Sequence, residues 1–219
     1  MQNKKIEWGM EIVQLTGEFA DATGGNGIPG IGLIGKFAQV FYNHHLMKRF
    51  SDFCQNAEID EELIEQIQEQ ENYSNYFYSV LETVRRTHSK LGLTSIALLY
   101  KDYWNNEKVL IPAMRSFSEI SDQVLLAFIE LYESIPNDKD YLVLNEIKDG
   151  EPIFHHLYPE GVELIIRNIF LQSSHAAMHN NGPIQGTKWE HTDLYYKYCI
   201  KAIKFVENCA APEDKNIAN

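Results

Sequence analysis

The chain has 219 residues, 44% of them apolar and 23% charged, with a formal net charge of −12. At that length a fold removes roughly 70% of the unfolded surface from water, so its core needs no disulfide or metal. The acidity, concentrated in residues 51–100 (net −6) and 101–150 (net −5), opposes nonspecific attraction to nucleic acid or anionic lipid, both of which want a basic surface.

Residues 4–22 read as an amphipathic helix, with Trp8, Ile12, Leu15 and Phe19 at spacings of four and three. Gly24, Gly25, Gly27 and Pro29 stop it. A second helix runs from about Gly32 to Asn56, with Leu33, Phe37, Val40, Met47 and Cys54 along one face and Phe41, Leu46, Phe50 and Phe53 widening it. A short acidic helix begins near Asp60. The stretch "SNYFYSVLETVRRTHS" makes a helix with Tyr73, Phe77, Val80 and Val84 in a stripe. "LTSIALLYKDYWNN" makes another, turning Ile96, Leu99, Tyr100 and Tyr103 inward. Ser121 reads as an N-cap, and Asp122 complements the dipole of a helix bearing Val124, Phe128, Leu131 and Ile135.

After "PNDKD" the pattern changes. "YLVLNEI", residues 141–147, is β-prone and is bounded by a turn at Asp149-Gly150. Pro159 opens a helix over 159–172 with an apolar stripe of Val162, Ile165, Ile166 and Ile169. Residues 173–190 are polar and turn-rich, and a closing helix follows with Thr192 as its cap. This order predicts a mostly α protein: a helical bundle over 1–118, a winged-helix-like α+β module over 119–210, and a flexible tail over 211–219. Cys54, Cys199 and Cys209 are odd in number, widely spaced and without a C-x-x-C pair, which suits reduced thiols in a cytoplasmic protein. Glu7, Glu11 and Glu18 interrupt the start where a signal peptide needs an apolar run.

The segments "IPGIG", "MKRFSDF", "VLETVRRTHSKLGLTSIALLYKDYW", "SEISDQVLLAFIELY" and "HTDLYYKYCIKAI" together resemble a group of uncharacterised bacterial helical proteins with a Pro-Gly break and a winged-helix-like C-terminal part. The resemblance implies a link to mobile elements or phage defence. It transfers no site residue.

Gly30, Gly32 and Gly35 in "GIPGIGLIGKF" have the G-x-G-x-x-G spacing of a dinucleotide turn. That turn needs a strand before it and an acidic residue at a second strand's end. Here a helix and a Gly-rich break precede it, and Asp52 falls within a helix, so no cofactor is expected. Pro29, Gly30, Gly32, Leu33 and Phe37 instead form a hinge into a buried helix, or, if residues 27–43 are exposed, a membrane-contacting segment.

Lys36, His44, His45, Lys48 and Arg49 share the long helix, and Arg85, Arg86 and His88 lie at another helix end. Together they would make a patch for an anion or for a partner's carboxylates. Otherwise they cap helix C-termini and pair with the acidic 58–71 segment. His155, His156, His175, His179 and His191 offer metal ligands only if they converge, and no H-E-x-x-H or Cys partner supports that. On the 159–172 helix, Glu160, Glu163, Arg167 and Asn168 should be exposed, giving one cation against two acids where a DNA reader wants several cations. Lys197, Lys201 and Lys204 form a solvated row. No Walker loop, G-x-S-x-G or H-E-x-x-H is present, and an active site without a known motif stays open. The 26 aromatic residues favour interfaces. The leading reading is a non-enzymatic protein-interaction or self-associating protein. A winged-helix nucleic-acid regulator and a membrane-acting effector using 27–43 are the alternatives.

Overall fold

A computed structural model describes residues 31–173 and 183–210, with side chains over 42–173 and 183–209. Among these residues the chain is mostly helical, with eight helices and small antiparallel sheets in its C-terminal part. It divides into two compact units, Met1–Gln55 and Asn56–Asn219.

In the first unit the described element is α1 (Ile31–Asn56). Its limits match the sequence expectation. The centre of its buried face does not: Leu46, Phe50 and Phe53 are buried, while Met47 and Cys54 are half-buried. The spacing of four and three residues puts those three side chains on one stripe.

The second unit opens with α2 (Glu61–Glu69) and α3 (Glu71–Arg86). Asp60 caps α2 by accepting the Leu63 N–H at 2.9 Å. Val80 and Val84 of the expected α3 stripe are buried, with Tyr73 and Phe77 at its half-buried end. α4 (Lys90–Tyr103) buries Gly92, Leu93, Thr94, Ser95, Ile96, Ala97, Leu99 and Tyr100. A helix apolar around most of its circumference must be enclosed, and α5, α6 and α8 pack on it. Ser89 caps its start by accepting the Gly92 N–H at 2.7 Å.

α5 (Glu107–Phe117) was not anticipated, because Pro112 breaks its pattern. α6 (Asp122–Ser134) begins as expected, with the Ser121 hydroxyl accepting the Val124 N–H at 3.2 Å. Asp122 does more than complement its own helix. Its Oδ1 accepts the Ser89 hydroxyl at 2.5 Å and the Leu91 N–H at 3.0 Å, which ties the start of α6 to the start of α4.

The stretch expected as one strand over 141–147 is two. β1 (Tyr141–Val143) pairs with β5 (Gln185–Thr187), and β2 (Asn145–Lys148) pairs with β3 (Glu151–Phe154). Leu144 between them is fully buried, donates its N–H to the Ile184 carbonyl at 2.8 Å and accepts the His155 N–H at 3.1 Å. β4 (Leu171–Gln172) completes the first sheet in the order β1-β5-β4. The β2–β3 turn is the expected Asp149-Gly150, with φ of +53° and +83°, the two left-handed residues of a tight hairpin turn.

α7 spans Tyr158–Ile166 rather than 159–172. Asn168, with φ of +57°, ends the helical path, so Ile169 is buried beyond the helix and Ile166 is 74% exposed. The expected stripe is therefore replaced by the buried Gly161 and Leu164. α8 (Thr192–Ala210) closes the chain. The boundary expected at residue 118 falls inside the second unit, because α8 packs on α4 and the Ser116 hydroxyl donates to the Arg167 carbonyl at 2.9 Å.

Gly161 faces the strand switch. A Cβ there would sit 2.9 Å from Leu144 Cδ1. Gly161→Ala gains about 1 kcal/mol of helix propensity but overpacks a fully buried leucine, at about 1–3 kcal/mol. A net loss of stability is expected in chemical denaturation. A variant as stable as the parent would show that Leu144 repacks freely.

Candidate interaction site

The basic residues fall on both compact units. Lys36, like Gly32, Leu33 and Phe37, lies on α1 where the side chains are outside the described residues, and Pro29 and Gly30 precede the described chain. Of the segment 27–43, expected to contact a membrane if exposed, residues 31–43 lie in α1, and only the side chains of its last two residues are described. No helix of the described residues is long and apolar enough to cross a membrane. His44, His45 and Lys48 are exposed and Arg49 is half-buried, with the two histidine rings 6.0 Å apart. Asp52 lies inside α1, as expected, and not at a strand end.

On α3, Arg85 holds Glu82 through Nε at 3.1 Å and Nη2 at 2.8 Å. Arg86 lies 3.6 Å from Glu119, and His88 is exposed. The anticipated pairing with the 58–71 segment is not what α3 makes: its two arginines find Glu82 and Glu119. These pairs are more than a third exposed, so each contributes at most about 1 kcal/mol. The pairing with that segment belongs to Lys101, which reaches Glu58 at 2.7 Å.

Arg167, expected to be exposed, is drawn inward. Its side chain is 18% exposed. Its guanidinium donates to Glu163 at 2.8 Å, to the Ser118 carbonyl, and to the Glu119 carbonyl at 3.3 Å. Glu119 has φ of +59° just past the end of α5, so Arg167 satisfies carbonyls that a helix end leaves without partners.

The histidines have separate roles. His175 and His179 lie outside the described residues. His156 meets Glu130 at 3.2 Å on the surface. Among the described residues no group of three or more His, Cys, Asp or Glu is placed to hold a metal ion. His191 is 7% exposed, and its Nε2 lies 3.0 Å from the Lys108 carbonyl oxygen. A carbonyl only accepts, so Nε2 carries the proton. Lys108 is four residues before Pro112, and proline has no N–H to give that carbonyl. His191 thus supplies the donor that Pro112 removes from α5.

Thr192 beside it does not cap α8 as expected. Its hydroxyl is buried, donates to the Ile169 carbonyl at 2.7 Å and accepts the Trp189 N–H at 3.0 Å. Lys201 of the expected solvated row is engaged, lying 3.4 Å from Asp102 and 4.4 Å from the centre of the Tyr198 ring. Burial works to raise the Asp102 pKa, but the Tyr198 hydroxyl it accepts and the nearby Lys201 outweigh that and hold it below the ordinary value. Burial pushes the Cys54 thiol up to about 11 and the Cys199 thiol up to about 12, which keeps both protonated and unreactive near neutral pH.

The feature that sequence reading missed is the β2–β3 hairpin. Ile147 is 42% exposed, Ile153 50% and Phe154 47%. The sequence marked 141–147 as β-prone and the Asp149-Gly150 turn, but not the returning strand, and beyond Asn145 every residue of β2 and β3 is exposed. The Phe154 ring lies 4.2 Å from that of Tyr158, which steadies the hairpin base. Paired residues share a sheet face, so Ile147 and Phe154 lie on one face and Ile153 on the other, and exposed apolar side chains on both faces mark the hairpin as a contact element.

His191→Phe leaves the Lys108 carbonyl without its side-chain donor in a part-buried setting and should cost about 1 kcal/mol. Pro112→Ala restores a backbone donor to the same carbonyl. In that background the His191→Phe cost should fall below half, a coupling read from a double-mutant cycle of denaturation midpoints. Equal costs in both backgrounds would show that the two residues act independently. No protein-family model matches the chain, and no curated protein or solved structure matches it.

Proposed function

We propose that this chain is a protein-interaction module that binds a partner, or a second copy of itself, through the β2–β3 hairpin. The observation that carries this reading is the exposure of Ile147, Ile153 and Phe154 on one short hairpin. Apolar and aromatic side chains that keep this much surface in water gain most when a partner covers them. The finer fold reading, a winged-helix-like module, belongs to the same proposal. The order of α6, hairpin, α7, small sheet and α8 supports it, and the hairpin takes the place of the wing.

Nucleic-acid binding is the weaker reading. Arg167 is committed to protein carbonyls and to Glu163, and α7 otherwise offers Glu160 and Glu163. A setting in mobile elements or phage defence rests on the resemblance alone.

A photo-crosslinking amino acid at position 153, introduced into the full chain in its source cells, tests the proposal. An adduct with another protein or with a second copy is expected at 153, and none at the exposed Glu65 on α2. Absence of an adduct at 153, or equal labelling at both positions, would overturn it.

A further inference from the structure

We infer that β2 pairs edge to edge with β2 of a second copy of this chain, antiparallel, with the two Ile147 residues opposite each other. This inference rests on the interaction reading above and names the partner. The hairpin ladder decides which backbone groups are free. The His155 N–H donates to the Leu144 carbonyl at 3.1 Å, and hydrogen-bonded pairs recur at every second residue of an antiparallel ladder. Glu146 with Ile153 and Lys148 with Glu151 are therefore the bonded pairs, and Ile147 with Pro152 lies between them. The Ile147 N–H and C=O point away from β3, and among the described residues no backbone group outside the hairpin takes them. Pro152 sits at the matching place on β3, where the ladder needs no N–H. The same proline leaves the outer edge of β3 without a donor, so β2 carries the edge that another strand can join.

The charges on β2 select the occupant and the register. Glu146 and Lys148 share one sheet face, and Ile147 lies on the other. A strand that bonds to Ile147 places one residue opposite Glu146 and one opposite Lys148. It needs a base at the first and an acid at the second. Read in the antiparallel direction, the Glu146-Ile147-Lys148 stretch of a second copy supplies them in that order. Lys148 meets Glu146 on both sides of the twofold axis. Moving the axis by one residue along β2 sets Lys148 against Lys148 or Glu146 against Glu146, and like charges directly opposite are destabilising. Both side chains are exposed, and among the described residues neither enters an ion pair. The net charge of −12 opposes contact between copies in general, whereas this edge brings unlike charges together. The pairing lays Ile147, 42% exposed, against its own copy and joins two hairpins into one sheet. The shared edge is short, so the dimer is weak and depends on concentration.

The test is sedimentation velocity on the full chain at concentrations up to about 1 mM, where a monomer–dimer equilibrium is expected. Ile147→Pro removes the free donor at a place where the hairpin itself uses none. It should give a monomer with an unchanged melting temperature. Glu146→Lys leaves the edge with two bases. Lys148→Glu with Glu151→Lys leaves it with two acids and keeps an opposite-charge pair across the hairpin. Each charge variant should be monomeric alone, and an equimolar mixture of the two should form a dimer. Misfolding of either variant cannot produce that pattern. A parent chain that stays monomeric, a dimer that survives Ile147→Pro, self-association of either charge variant, or a mixture that stays monomeric would overturn the inference. An adduct at 153 with a different protein, beside a monomeric parent, would overturn the pairing of copies and leave the interaction reading standing. A monomeric parent with no adduct at 153 would remove both.

Discussion

The second compact unit is organised by the need to enclose α4. Eight of its fourteen residues are buried, and a helix with so little polar surface is stable only when neighbours cover most of its circumference. The cover comes from α5 and α6, which follow directly, and from α8, which lies nearly a hundred residues further on. This is why the C-terminal elements do not stand apart. The last helix carries Tyr195, Tyr198, Cys199 and Ala202 into the core, and removing it would return the α4 face to water.

Recruiting α8 creates a second demand, since α5 must lie beside its start. α5 lacks one backbone donor at Pro112, and His191 at the start of α8 fills the gap at the Lys108 carbonyl. Thr192 then joins the same point to Ile169. On the opposite side, Arg167 reaches back to the carbonyls at the end of α5. Arg167 and His191, which looked available for nucleic acid or metal, are thus absorbed in satisfying backbone groups. A buried carbonyl without a donor costs about 1–3 kcal/mol, comparable to a substantial share of the stability of a domain this size.

What remains outward is the β2–β3 hairpin. Its base is tied down by Asn145, Leu144 and the Phe154–Tyr158 ring contact, while its outer part carries apolar side chains within an acidic setting. Rigid support beneath an exposed apolar surface lowers the entropy lost on association.

Much of the local structure was legible in the sequence. The limits of α1, the start of α2 near Asp60, the Ser121 cap, the Asp149-Gly150 turn, and the burial of Ile96, Leu99 and Tyr100 on α4 and of Val124, Phe128 and Leu131 on α6 follow from spacing and from side chains that bond to nearby backbone, while Tyr103 is only half-buried. These interactions span a few residues, so the chain states them locally. The path of α5 was hidden because the donor that tolerates Pro112 lies on His191, far along the chain. The split at Leu144 was hidden because its partners, Ile184 and His155, are in separate segments. The inward turn of Arg167, the exposure of Ile166 and the openness of the hairpin were likewise decided by tertiary structure. An apolar residue in a sequence says that it gains by burial, but only the packed neighbours decide whether anything in its own chain covers it.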